Sequence, residues 1–151
     1  MDVAEKQSLI QTSLARTAEA LGDITGPVYA LYYERCPEAQ ERFDHFYPEG
    51  RERLEGSMVE QALYCLMYWF DSPGEIEVVL ISTVPHHIET LGVPGDMFAR
   101  LITAVCDTVT ATIPPEEKDE LLVWEELHAD LIGLCNESAK HARSVPAHHS
   151  A

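Results

Sequence analysis

Apolar residues in this chain recur at three- and four-residue spacing, stretch after stretch, and proline or glycine separates most of the stretches. That pattern favours helices over strands. Residues 4–20 place Ile10, Leu14 and Ala18 at fourfold spacing and stop at Gly22. A second helix opens near Thr25-Gly26-Pro27, with Thr25 as its expected cap and Pro27 in the first turn, where a missing N–H costs little. It carries Val28, Tyr29, Leu31 and Tyr32. Pro37 starts a short third turn, and Pro48-Glu49-Gly50 marks a loop. Over 51–70, Leu54, Met58, Ala62, Leu66 and Trp69 form one stripe and Leu63, Met67 and Phe70 a neighbouring one, so the spacing predicts a long, largely buried helix. Asp71-Ser72-Pro73-Gly74 ends it.

Residues 76–82 are rich in β-branched side chains and would suit a strand, yet no second segment offers a sheet partner. Context therefore makes this stretch helical, with Pro85 an expected kink. Two further helices follow, over 96–112 with Phe98, Leu101, Ile102, Val105 and Val109, and over 115–138 with Leu121, Trp124, Leu127, Leu131 and Leu134. The polar stretch 139–151 reads as a disordered tail. The expected fold class is all-α, with six to eight helices in one domain over 1–138.

A chain of 151 residues with 46% hydrophobic content suits one domain with a full core. It has no run of about 18 apolar residues that would cross a membrane. The polar start, Met1-Asp2-Val3-Ala4-Glu5-Lys6, lacks a signal-peptide core, so a cytoplasmic location is expected. Lys and Arg total 10 against 26 Asp and Glu, a formal charge of -16. Such a surface repels phosphate backbones and anionic lipid, which argues against nucleic acid and membrane as partners. It serves solubility first, and docking to a basic partner is the sharper reading. Cys36, Cys65, Cys106 and Cys135 lie far apart, without metal-finger spacing, and are expected to be buried thiols. Trp69 and Trp124 are expected in the core, and His128 on an exposed face. GxGxxG, P-loop, GxSxG and HExxH patterns are absent.

Two segments carry chemistry. Residues 36–46, CPEAQERFDHF, form a proline-started turn ending on Phe43 and Phe46. Residues 86–93, HHIETLGV, place a histidine pair before a helix stop, and Phe98 lies eleven residues after His87. With Pro37, Phe43, His87, Val93, Phe98 and Pro114 at separations like those of animal haemoglobins, the chain resembles a globin of bacterial single-domain type over residues 5–138.

The resemblance implies haem b held between the helix containing Met58 and the helix of His87, binding O2, CO or NO at its iron. His87 would be the proximal metal ligand, through a neutral imidazole whose other nitrogen is held by an acceptor. His86 is the rival, since one residue turns a helical side chain by about 100°. Phe43 matches the family's haem-stacking aromatic, with Phe46 as a packing partner and His45 as an exposed loop residue. Phe43, Met58, Ala62, Leu91, Val93, Phe98 and Leu101 would line the haem cage.

Tyr29 matches the tenth position of the second helix, where a phenol can donate a hydrogen bond to the gas ligand. Tyr32 and Tyr33 are alternatives for a pocket or surface role. Met58 falls where a distal His or Gln is usual; a shift of three residues brings Gln61 there instead. Met58 can fill the pocket or ligate iron. By the resemblance, Phe98 stands where relatives place a proximal tyrosine and Glu137 is about two residues out of phase, which argues against peroxidase-type chemistry. Reversible gas binding is the leading function, with NO dioxygenation or gas sensing as extensions. Turnover would need a separate reductase, and a homodimer stays open. The alternative from another class is a haem-free globin-fold signalling or interaction module.

Overall fold

The computed structural model describes residues 1–91 and 95–144, with side chains at 1–82 and 96–138. The described residues form seven α-helices joined by turns: α1 (Val3–Leu21), α2 (Thr25–Arg35), α3 (Pro37–Phe46), α4 (Arg51–Tyr68), α5 (Pro73–Leu91), α6 (Gly95–Thr110) and α7 (Lys118–Ser144). The protein is all-α, and among the described residues no helix is long and apolar enough to cross a membrane.

Local chemistry sets most boundaries. Asp2 caps α1, its Oδ1 accepting the Glu5 N–H at 2.8 Å. Gly22 ends α1 at φ +68°, a left-handed value that favours glycine. Gly50, at φ +91°, supplies the same freedom ahead of α4. Pro37 occupies the first turn of α3, where no intrahelical N–H is missed.

Thr25 is not the cap of α2 as the sequence suggested. It is the first helical residue, and Asp23 Oδ1 accepts both its backbone N–H at 3.0 Å and its hydroxyl at 2.7 Å. The β-branched stretch 76–82 is helical: Ile76 and Leu80, one turn apart, are buried, while Val78 and Ile81 face out. Pro85 lies within α5, where its ring nitrogen cannot donate to the carbonyl one turn back. Pro114 precedes a turn that contains Pro115, closed by the Glu117 N–H donating to the Pro114 carbonyl, and α7 begins at Lys118. It runs to Ser144, past the boundary expected at 138.

α6 is the central helix. It meets α1, α2, α4, α5 and α7. It buries Phe98, Leu101, Ile102, Val105 and Val109 along one face, while Asp96, Arg100 and Asp107 lie on the opposite, polar face. α7 packs on α1, α5 and α6 and contributes Trp124, Leu127 and Leu131 to the same core. All four cysteines are free and buried. Burial lifts the Cys65 thiol to about 11 and those of Cys106 and Cys135 to about 12.

One polar network crosses this apolar interior. Glu120, at the start of α7, is buried and accepts from both guanidinium nitrogens of Arg16, at 2.7 and 3.0 Å, and from the Ser13 hydroxyl at 2.7 Å. Thr17 and Thr112 share a hydroxyl contact at 2.9 Å beside it. The network ties α1 to α7 at a buried carboxylate that would otherwise be costly.

Candidate functional site

α2, α3, α4 and α6 bring six of the sequence-selected residues into one buried cluster: Tyr29, Phe43, Met58, Ala62, Phe98 and Leu101. Fourfold spacing puts Met58, Ala62 and Leu66 on the buried face of α4, while Gln61 is half-buried beside them. The backbone of α5 carries His86, His87 and Leu91 as helix. Their side chains, and the whole of Val93, lie outside the described residues. Among the described residues no cluster of three or more His, Cys, Asp or Glu could hold a metal ion.

The three tyrosines of α2 form an aromatic wall with Phe43. Tyr29 stands 5.8 Å from Tyr32, 5.2 Å from Tyr33 and 6.0 Å from Phe43, ring centre to ring centre. Edge-to-face and tilted pairs at such distances match the quadrupoles of the rings. Their hydroxyls have different fates. Tyr32 donates to the Met97 carbonyl at 3.0 Å, and Tyr33 donates to Glu55 Oε2 at 2.6 Å. The Tyr29 hydroxyl is buried and has no partner among the described residues. Burial drives its pKa far above the ordinary phenol value, so it stays protonated and able to donate.

Three other buried polar atoms lack partners among the described residues: Gln7 Oε1, Trp124 Nε1 and Ser138 Oγ. Of the four, only the Tyr29 phenol belongs to a residue that the sequence places in a ligand pocket. A protonated donor buried in the core beside Phe43 is suited to a small acceptor ligand.

Some placements differ from expectation. Phe46 is exposed instead of packed and meets His45 edge-on at 4.8 Å. His128 is half-buried, with Nε2 2.8 Å from the Thr103 hydroxyl. Trp69 is half-buried and donates to Asp130 at 3.0 Å.

The sequence reading missed the polar cluster at the α3–α4 corner. Arg51 pairs with Asp44 and lies 3.5 Å from Glu55, one turn along α4, and Glu55 is buried against Tyr33. The i,i+4 spacing of Arg51 and Glu55 was a visible signal; the tyrosine partner on another helix was not. Comparison of the chain with protein-family models, curated proteins and solved structures returns no match in any of the three.

Proposed function

We propose that the chain is a globin-like haem protein that binds a diatomic gas, with haem b between α4 and α5 and His87 as the iron ligand. The observation that carries this reading is the Tyr29 hydroxyl, buried beside Phe43 without a hydrogen-bond partner among the described residues. A buried donor left unpaired is unfavourable unless something completes it. Phe43 flanks it, and Met58, Ala62, Phe98 and Leu101 belong to the same apolar core, a composition that suits a porphyrin face.

Haem iron, when bound, supplies reversible coordination of O2, CO or NO. The chain's own residues do the rest. Tyr29 donates a hydrogen bond to the gas ligand, which favours O2 over the less polar CO. Phe43 and Phe98 exclude water from the ligand. The neutral imidazole of His87 orients the group, and Met58 fills space beside it. NO dioxygenation is compatible with a tyrosine holding the gas in place, and turnover then needs an outside electron donor.

Titrating haemin into the purified chain while following tryptophan fluorescence tests the proposal. It expects quenching that saturates at one haemin per chain, since Trp124 lies in the same core. A second reading, a haem-free globin-like interaction module, draws on the close packing of Tyr29 with Tyr32, Tyr33 and Phe43. Absence of saturable quenching by a folded chain would favour that module and refute the haem reading.

A further inference from the structure

A groove of about 360 Å³ opens between α1, the α1–α2 corner and α4, outside the Tyr29 cluster. Leu14, Val59, Leu63 and Met67 give it an apolar lining, and the carboxylates of Asp23 and Glu60 are its only charged lining groups among the described residues. Volumes of a few hundred Å³ with a largely apolar wall and a few fixed polar groups suit a small ligand.

Gly56, in the middle of α4, also lines the groove. Glycine inside a helix is less favourable than alanine. Close approach of another helix is the usual compensation. It does not apply at Gly56, where a Cβ would meet no atom within 4 Å. The missing side chain leaves the groove open instead.

Asp23 is fixed at the mouth. Its Oδ1 accepts the Thr25 N–H and hydroxyl, which hold the carboxyl below the usual carboxylate range and so keep it charged. An apolar trough with two carboxylates, and no cation among its lining residues, complements a positive charge attached to a hydrocarbon body.

We propose that this groove binds a small organic cation with an apolar body, of the aryl-alkyl ammonium class. The apolar part lies against Leu14, Leu63 and Met67, and the ammonium sits between Asp23 and Glu60. The site is independent of any haem.

The test uses the full chain and 4-phenylbutylamine, protonated at neutral pH, followed by amide NMR and calorimetry. Neutral 4-phenylbutanol and a short lysine-containing peptide serve as comparisons. The expected result is one-to-one binding of the amine, with shifts of the Gly22, Thr25 and Gly56 amides, and binding of the alcohol about tenfold weaker. The double variant Asp23→Asn/Glu60→Gln keeps an acceptor at both positions and should weaken the amine about tenfold. Gly56→Leu should abolish binding while leaving the melting temperature unchanged or higher. Equal binding by the parent and both variants would mean general attraction to a chain of charge -16 and overturn the proposal. Equal affinity for alcohol and amine, or binding of the peptide alone, would overturn it as well.

Discussion

Replacing Tyr29 with Phe should make the haem-free protein more stable, because the hydroxyl it removes is buried and unpaired among the described residues. Phe keeps the ring, and with it the contacts to Tyr32, Tyr33 and Phe43 at 5.2–6.0 Å. What disappears is a desolvated donor with no partner, a penalty of about 1–3 kcal/mol. For a chain of this size each kcal/mol corresponds to about 2–4 °C in melting temperature.

Tyr32→Phe and Tyr33→Phe provide controls of opposite sign. Tyr32 loses its bond to the Met97 carbonyl, worth about 0.5–1.5 kcal/mol, and Tyr33 loses one to the Glu55 carboxylate. Urea and thermal unfolding of the three variants, all haem-free, give the comparison. A Tyr29→Phe variant as stable as the parent, or less so, would show that the hydroxyl is satisfied and refute the reasoning. With haem and O2 added, the same change should speed O2 release about 2- to 12-fold, the equivalent of one ordinary hydrogen bond. Stopped-flow displacement by CO reads it, and an unchanged rate would remove Tyr29 from gas binding.

Other predictions concern the scaffold. Glu120→Ala should destabilise by about 1.5–3 kcal/mol, since it strands Arg16 and Ser13; chemical unfolding measures this. Hydrogen bonding from Arg16, aided by Ser13, lowers the folded-state pKa of Glu120 despite burial. Its stabilising contribution is therefore full above the unfolded value of about 4.3 and fades as pH falls through the lower folded value; in Glu120→Gln that acid-limb contribution should vanish. Gly56→Ala should raise stability by about 0.5–1 kcal/mol, because a Cβ there clashes with nothing. Iodoacetamide at pH 8 should label Cys65, Cys106 and Cys135 slowly in the folded chain and rapidly in urea, as burial holds their pKa values at about 11, 12 and 12. Mass spectrometry of the labelled chain checks it.

The helices were legible because apolar periodicity and Pro or Gly punctuation act locally. Even residues 76–82 were read as helix, since a lone strand has nowhere to place its backbone hydrogen bonds. Helix starts were less secure. Ile24 is the N-cap residue of α2, and Asp23, just before it, accepts both Thr25 donors because an Asx side chain can reach two residues ahead.

Burial of Tyr29, Phe43, Met58 and Phe98 was foreseeable from pattern and resemblance. The split among three neighbouring tyrosine hydroxyls was not, because it depends on Met97 and Glu55 arriving from other helices. The Arg16–Glu120 pair, over a hundred residues apart in sequence, gives no local signal either. Helical phase puts Phe46 on the face of Ala39 and Phe43, yet as the last residue of α3 it lies exposed beside His45.

The central claim is a gas-binding haem on His87, and the most direct measurement is the absorption spectrum of the haem-loaded chain. It is recorded before and after dithionite and CO, for the parent, His87→Ala and His86→Ala. The account predicts a sharp Soret band that shifts with CO in the parent and in His86→Ala and collapses in His87→Ala. A parent protein that stays helical yet gives no Soret band with added haem would contradict it.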